Sequence, residues 1–227
     1  MTVNRFRDGE FAEVNKVGNP LEDASVLVRR DGEWDEIWPG VTVVEDFERD
    51  DPLDDYTRSS AFDTTSTTVF EGDTALTANG GSLSRINSIS GLPAYPIQGD
   101  VFDCRLRLED SCEARVKFGV EDVGNKYGIN IQSDDNGLDL YKRDDGSFTR
   151  LTSTSVAVPQ DEWLRLETTW KTNDTITVTL FDSDDSQLAE ISTTDATHAD
   201  RDGIGWGVRN GGPVFFDIMQ ITGDADE

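Results

Sequence analysis

The segment EWLRLETTWKTNDTITVTLFDSDDSQLAEIST, residues 162–193, decides the fold class. Read at period two, Leu164, Leu166, Thr168 and Trp170 take one side and Arg165, Glu167 and Thr169 the other, while Ile176, Val178 and Leu180 alternate with threonines. Turn residues at Asn173-Asp174 and Asp184-Asp185 separate the runs. Half-buried antiparallel strands give this pattern, and no helical periodicity competes with it. The segment continues as GIGWGVRN (203–210), a Gly211-Gly212-Pro213 turn and VFFDIMQIT (214–222), read as further strands joined by short turns. Trp170 and Trp206 alternate with core positions and read as packing residues.

Working outward, VTVVEDFE (41–48), VFEGDTALTA (69–78), SLSRINSI (82–89), YGINIQS (127–133), LDLYKR (138–143) and FTRLTSTSVAV (148–158) read as strands. The stretch 50–68 is too acidic for a buried strand and leads to a short one near Ala61-Phe62. The prolines of GLPAYPIQGD keep it out of a central strand. FDCRLRLEDSCEARVKFGV (102–120) reads as a hairpin turning at Asp110-Ser111. In that register Cys104 and Cys112 lie too far apart for the ~7 Å that a disulfide permits, so two buried free thiols are expected.

Taken in order, the W-x-R-L strand, the TITVTLFDSD hairpin, the acidic loop, GIGWGV and VFFDI resemble the C-terminal half of concanavalin A-like lectin/glucanase domains, including the laminin G-like group. VFEGDTALTA resembles an earlier strand of the same sandwiches. The resemblance implies an all-β fold: an antiparallel jelly-roll β-sandwich over residues 41–223, ending in an acidic tail at 224–227. It does not specify a ligand, because such folds host many functions.

Residues 6–14, FRDGEFAEV, and 29–37, RRDGEWDEI, repeat one pattern. Asp8-Gly9 and Asp31-Gly32 suit type I′ turns, so residues 1–40 read as two small β-hairpins with Phe11 and Trp34 placed alike and Trp38 closing the second. A lone hairpin is marginal in water, so these must pair with each other, with the sandwich or with a neighbouring subunit. Phe11, Trp34 and Trp38 are the docking candidates. The repeat resembles segments in structural proteins of tailed phages and haloarchaeal tailed viruses.

Asp and Glu number 46 against 20 Lys and Arg, a net charge of -26. Such self-repulsion is relieved in molar salt, where the Debye length falls to ~3 Å, so a salt-loving source is expected; a calcium-loaded acidic protein at ordinary salt is the alternative. Nucleic acid is disfavoured as a partner because no basic face offsets phosphate repulsion. No run approaches the ~18 apolar residues of a membrane span, and the N-terminus lacks the apolar core of an export signal. Assembly into a virus particle, with the protein on the virion surface, accommodates both.

Catalysis is disfavoured. Glucanases of the resembled fold place acids two and four residues apart on one strand, and no strand here does so. His198, the single histidine, sits in an acidic loop with no nucleophile nearby and reads as exposed. The resemblance implies a candidate structural calcium held by Asp46 or Glu48 and by Asp217; Arg49 or backbone amides would serve Asp217 equally. With Val116, Ile129, Ile131, Leu138 and Leu140 inward, Arg115, Lys117, Asn130, Gln132, Tyr141 and Arg143 face outward. An exposed tyrosine among amide and guanidinium donors suits a sugar ring, so these six are the glycan-binding candidates. The function expected is a non-catalytic virion surface protein (turret, capsid decoration or tail fibre subunit) of a haloarchaeal tailed virus. It would be a homo-oligomer, pentamer or trimer, touching other virion proteins and host glycans. The alternative is a free carbohydrate-binding module of a halophile.

Overall fold

A computed structural model describes residues 41–57, 60–80 and 83–226, and the backbone of four strands before them. Those four form two hairpins: β1 (Val3–Arg7) with β2 (Glu10–Val14), and β3 (Val26–Arg30) with β4 (Glu33–Trp38). β2 lies against β3, one of the pairings an isolated hairpin needs. The turns at 8–9 and 31–32, and the side chains of Phe11, Trp34 and Trp38, lie outside the described residues.

The remaining strands are β5 (Thr42–Glu45), β6 (Phe62–Thr65), β7 (Ala75–Gly80), β8 (Ser84–Ser88), β9 (Asp100–Leu108), β10 (Glu113–Val120) and β11 (Lys126–Gln132). They continue as β12 (Gly137–Asp144), β13 (Ser147–Ser155), β14 (Trp163–Trp170), β15 (Thr175–Phe181), β16 (Gln187–Thr194), β17 (Gly203–Arg209) and β18 (Gly211–Asp224). An eight-stranded antiparallel sheet runs β16-β15-β14-β9-β18-β7-β6 with β5 added on β18; a six-stranded one runs β13-β12-β11-β10-β17-β8. The two form a jelly-roll sandwich, and no helix occurs among the described residues.

The alternation seen in the sequence builds the core. Leu164, Leu166, Trp170, Ile176, Val178 and Leu180 point inward from one sheet, and Val116, Phe118, Ile129, Leu138, Leu140 and Trp206 from the other. Each such side chain contributes about 1.5–3 kcal/mol when fully buried. Phe118 is a centre of this packing, with ring centroids of Phe102, Tyr127 and Trp170 at 5.4, 5.3 and 5.2 Å. The turn at Asp145-Gly146 has φ of 47° and 79°, the double positive pair of a type I′ hairpin, between the paired residues Asp144 and Ser147.

Three local readings are corrected. FDCRLRLEDSCEARVKFGV is not a hairpin: β9 belongs to the eight-stranded sheet and β10 to the six-stranded one, so the chain arches from layer to layer at Asp110, φ 60°. GIGWGVRN and VFFDIMQIT are separated in the same way between β17 and β18, and the two arches meet where Glu109 N donates to Pro213 O at 3.0 Å. Turn residues mark where a chain reverses, not which sheet receives the next strand. Cys104 and Cys112 are indeed free and buried, with the added reason that they start from opposite layers, which stack ~10 Å apart. Lastly, in VFEGDTALTA only the part from Ala75 is strand; Phe70 is exposed in a loop.

Candidate ligand-binding groove

The outer face of the six-stranded sheet is laid out by register. One row across it is Tyr141, Gly128, Lys117, Gly205; the next is Asp139, Asn130, Arg115, Gly207; a third is Gln132, Glu113, Arg209. At the other end, Arg143 is flanked by Lys126 and Phe148. All six glycan candidates from the sequence therefore share this face. Arg115, Asn130, Gln132 and Arg143 line a groove of about 690 Å³ with Leu83, Glu113, Phe148, Arg150, Arg209 and Asn210.

Outward does not mean exposed here. Tyr141 and Lys117 are each 1% exposed and Asn130 is 4% exposed, which corrects the expectation of an open tyrosine. The cause is glycine. The Tyr141 ring lies flat over Gly128, where a Cβ would come within 2.3 Å of it, and Arg115 lies alongside Gly207 in the same manner. Lys117 stretches toward the neighbouring strands and donates to Trp206 O (2.6 Å), Asn87 Oδ1 (3.0 Å) and Ile86 O (3.3 Å). Burial lowers the Lys117 pKa well below the usual amine range, and the charges of Lys126, Arg85 and Arg115 push the same way.

The open aromatic in the groove is Phe148, 48% exposed, stacked on Tyr141 with centroids 5.0 Å apart and rings inclined by 30°. Arg115 lies 5.9 Å from the Tyr141 centroid and forms a close ion pair with Glu113. Arg150 pairs with Asp139 at 3.2 Å. Asn130 Oδ1 is buried with no hydrogen-bond donor among the described residues. Phe148, Arg150 and Arg209 were missed from the sequence. Extending the same alternation to the neighbouring strands β13 and β17 finds them.

Asp46 and Glu48 line a smaller cavity of about 310 Å³ with Glu71, Ile218 and Gln220. Asp217 is fully buried, but its oxygens accept N–H bonds from Phe70 (2.7 Å), Glu71 (3.3 Å) and Ile218 (2.8 Å). Glu48 Oε1 is likewise taken by the amides of Asp73 (2.8 Å) and Thr74 (2.7 Å). Calcium needs six to eight oxygens pointing at one place, and no cluster of three or more acidic, His or Cys side chains is gathered among the described residues. The donor set does not fit a cation cage. Of the partners considered for Asp217, backbone amides are the ones present. Arg49 instead pairs with Glu45 at 2.9 Å, a buried carboxylate that also accepts from Tyr56 Oη (2.9 Å) and Phe47 N (2.9 Å).

His198 is buried, against expectation. Its Nε2 lies 2.6 Å from Arg143 O, and its backbone N–H donates to Tyr127 Oη. Tyr127 Oη donates in turn to Asp195, which also receives Lys142 Nζ at 2.6 Å. Lys142 also donates to Thr197 Oγ1 at 2.6 Å, and the network pins the 195–202 loop to β11 and β12.

No family model and no curated protein matches the sequence. Solved structures do match. A carbohydrate binding module, CBM66 from Bacillus subtilis, aligns with a TM-score of 0.50 at 15% identity, covering 71% of this chain and 96% of that one. The exoplasmic/lumenal domain of VIP36 in its Ca2+/Man3GlcNAc-bound form aligns at 0.53 and 12%, covering 79% and 86%. The apo Crh5 transglycosylase aligns at 0.51 and 12%, covering 80% and 83%. At such identities the likeness is one of fold, and the same fold serves both binding and catalysis.

Proposed function

We propose that this chain is a non-catalytic carbohydrate-binding sandwich whose saccharide lies in the groove across the six-stranded sheet. The observation that carries the reading is the exposed Phe148 ring, backed by Tyr141, in a groove that the half-buried amide of Gln132 also lines. A sugar offers both complements: a C–H face for the aromatic platform and hydroxyls for the amide beside it. That structural neighbours carry the names of a carbohydrate binding module and a saccharide-bound lumenal domain supports it.

The acids on this face argue for binding rather than hydrolysis. Glu113 and Asp139 each face an arginine, and the outward positions of β10 read Glu113, Arg115, Lys117 where a glycosidase needs two carboxylates flanking the bond. Titration against a glycan panel by calorimetry tests the reading. Binding is expected, weakened about five- to tenfold in Phe148→Ala, the loss of one stacked ring. Binding to no glycan sinks it, and shortening of the bound chains overturns the non-catalytic part.

The finer placement is on the surface of a virus particle of a salt-loving archaeal host, with residues 1–40 docking a homo-oligomer. The repeated R-D-G-E hairpins favour it over a free polysaccharide-binding module. Light scattering in about 3 M salt, where charge repulsion is screened, tests it. A monomer, unchanged on removal of residues 1–40, excludes the docking role.

A further inference from the structure

The groove inverts the charge of the rest of the molecule. Over the whole chain acids outnumber bases 46 to 20. Among the groove residues, four guanidinium groups, Arg115, Arg143, Arg150 and Arg209, stand against the single carboxylate of Glu113. Arg115 and Arg150 have carboxylate partners in Glu113 and Asp139. Arg143 and Arg209 have none within ion-pair distance among the described residues; the one bond of Arg143 runs to the carbonyl of Gly146 at 3.3 Å. In a chain this rich in acids, their scarcity among the groove residues is a property of the face itself.

From this we infer that the ligand is an acidic saccharide, carrying carboxylate or sulfate groups on a polymer rather than a single charged sugar. The inference rests on the carbohydrate reading above and adds the class of sugar. Polymer length follows from the spacing of the two unpaired arginines. Arg143 on β12 and Arg209 on β17 are three strand spacings apart and lie in rows separated by six residues, roughly 25 Å between Cα atoms in ideal sheet dimensions. Even with both side chains reaching inward, one monosaccharide does not bridge them. A chain with an anionic group on successive or alternate units does. Planar guanidinium groups match carboxylate and sulfate oxygens in bidentate fashion, while the exposed Phe148 ring takes the C–H face of a sugar, which a bare polyanion lacks.

Binding is measured for polygalacturonate, its fully methyl-esterified form, dextran sulfate, dextran and polyaspartate, with wild type and the Arg143→Gln/Arg209→Gln double variant. Arg209 is exposed and Arg143 half-buried, so the variant keeps the fold, checked by near-ultraviolet circular dichroism. Expected is binding of polygalacturonate or dextran sulfate, the pair telling carboxylate from sulfate. It should be at least about tenfold tighter than the neutral counterparts and weaker by about tenfold or more in the double variant, the size of lost charge-assisted hydrogen bonds. Equal binding of the neutral forms, unchanged in the variant, overturns the acidic class and leaves the carbohydrate reading standing. Equal binding of polyaspartate makes the groove a general polyanion site and overturns the saccharide. No binding of any polymer removes both.

Discussion

Asp217 is a carboxylate set in an apolar strand, and its surroundings define a pH signature. Burial pushes its pKa up to about 6; the amides of Phe70, Glu71 and Ile218 oppose the shift and the Glu48 charge adds to it. The folded state therefore holds this proton between about pH 4 and 6 while the unfolded chain, with its ordinary value near 3.9, has lost it. Stability from this group is greatest when it is protonated and declines as pH rises through that window. In Asp217→Asn the decline is absent, so the stability difference, wild type minus variant, should fall from pH 4 to 6 and level off above; a flat difference refutes the assigned shift. Because amides rather than a metal face this carboxylate, neither calcium nor a chelator should move the melting temperature at pH 7. From the sequence one could see that a carboxylate in VFFDIM needs a partner, but not which, since the donors come from the loop around Phe70, distant in the chain. His198 misled for the same reason: nothing near it in sequence announces Tyr127 as the residue it packs on, with ring centroids 5.0 Å apart.

At the level of strands, period-two alternation identified the inward faces because each inner residue sees only the opposing sheet. It also oriented Arg115, Asn130 and Tyr141 outward. What it could not give was their burial, which depends on the residue beside each one across the ladder. Glycines fill those places: Gly128 beside Tyr141 and Gly207 beside Arg115. Adding one methyl group at Gly128 drives it into the Tyr141 ring, which must then stand up and lift Phe148 from its support. Gly128→Ala should thus weaken saccharide binding as much as Phe148→Ala does, while costing the fold about 1–3 kcal/mol of overpacking. Gly205→Ala is the control, since its Cβ would come within 2.6 Å of Ile86 O in the β8–β17 ladder, away from Phe148. It should lower the melting temperature and weaken affinity less than Gly128→Ala does. If Gly128→Ala binds like wild type, the stacked rings do not form the platform. The arches after β9 and β17 escaped the sequence on related grounds: a turn of polar and glycine residues reads alike whether the next strand joins the same sheet or crosses to the other.

For the molecule as a whole, a net charge of -26 surrounds a groove lined by guanidinium groups, and salt should act oppositely on folding and on binding. Raising ionic strength from about 0.1 to about 1 M shortens the Debye length from ~10 to ~3 Å, which removes most repulsion between surface acids. The melting temperature should rise. Binding of an acidic polymer divides into two rates under the same change. The approaching chain meets the field of the whole surface first, and that field repels it, so the association rate should increase as the field is screened. Once seated, the chain is held by short contacts to Arg143 and Arg209, and these weaken as ions compete, so the dissociation rate should increase as well, and by more. Tighter folding, faster arrival and faster escape together are what a negative body with a positive groove predicts. Biolayer interferometry on immobilised polymer separates the two rates. A dissociation rate indifferent to salt would show that the arginines do not hold the ligand. An association rate that drops with salt would show that the ligand is steered by the groove alone.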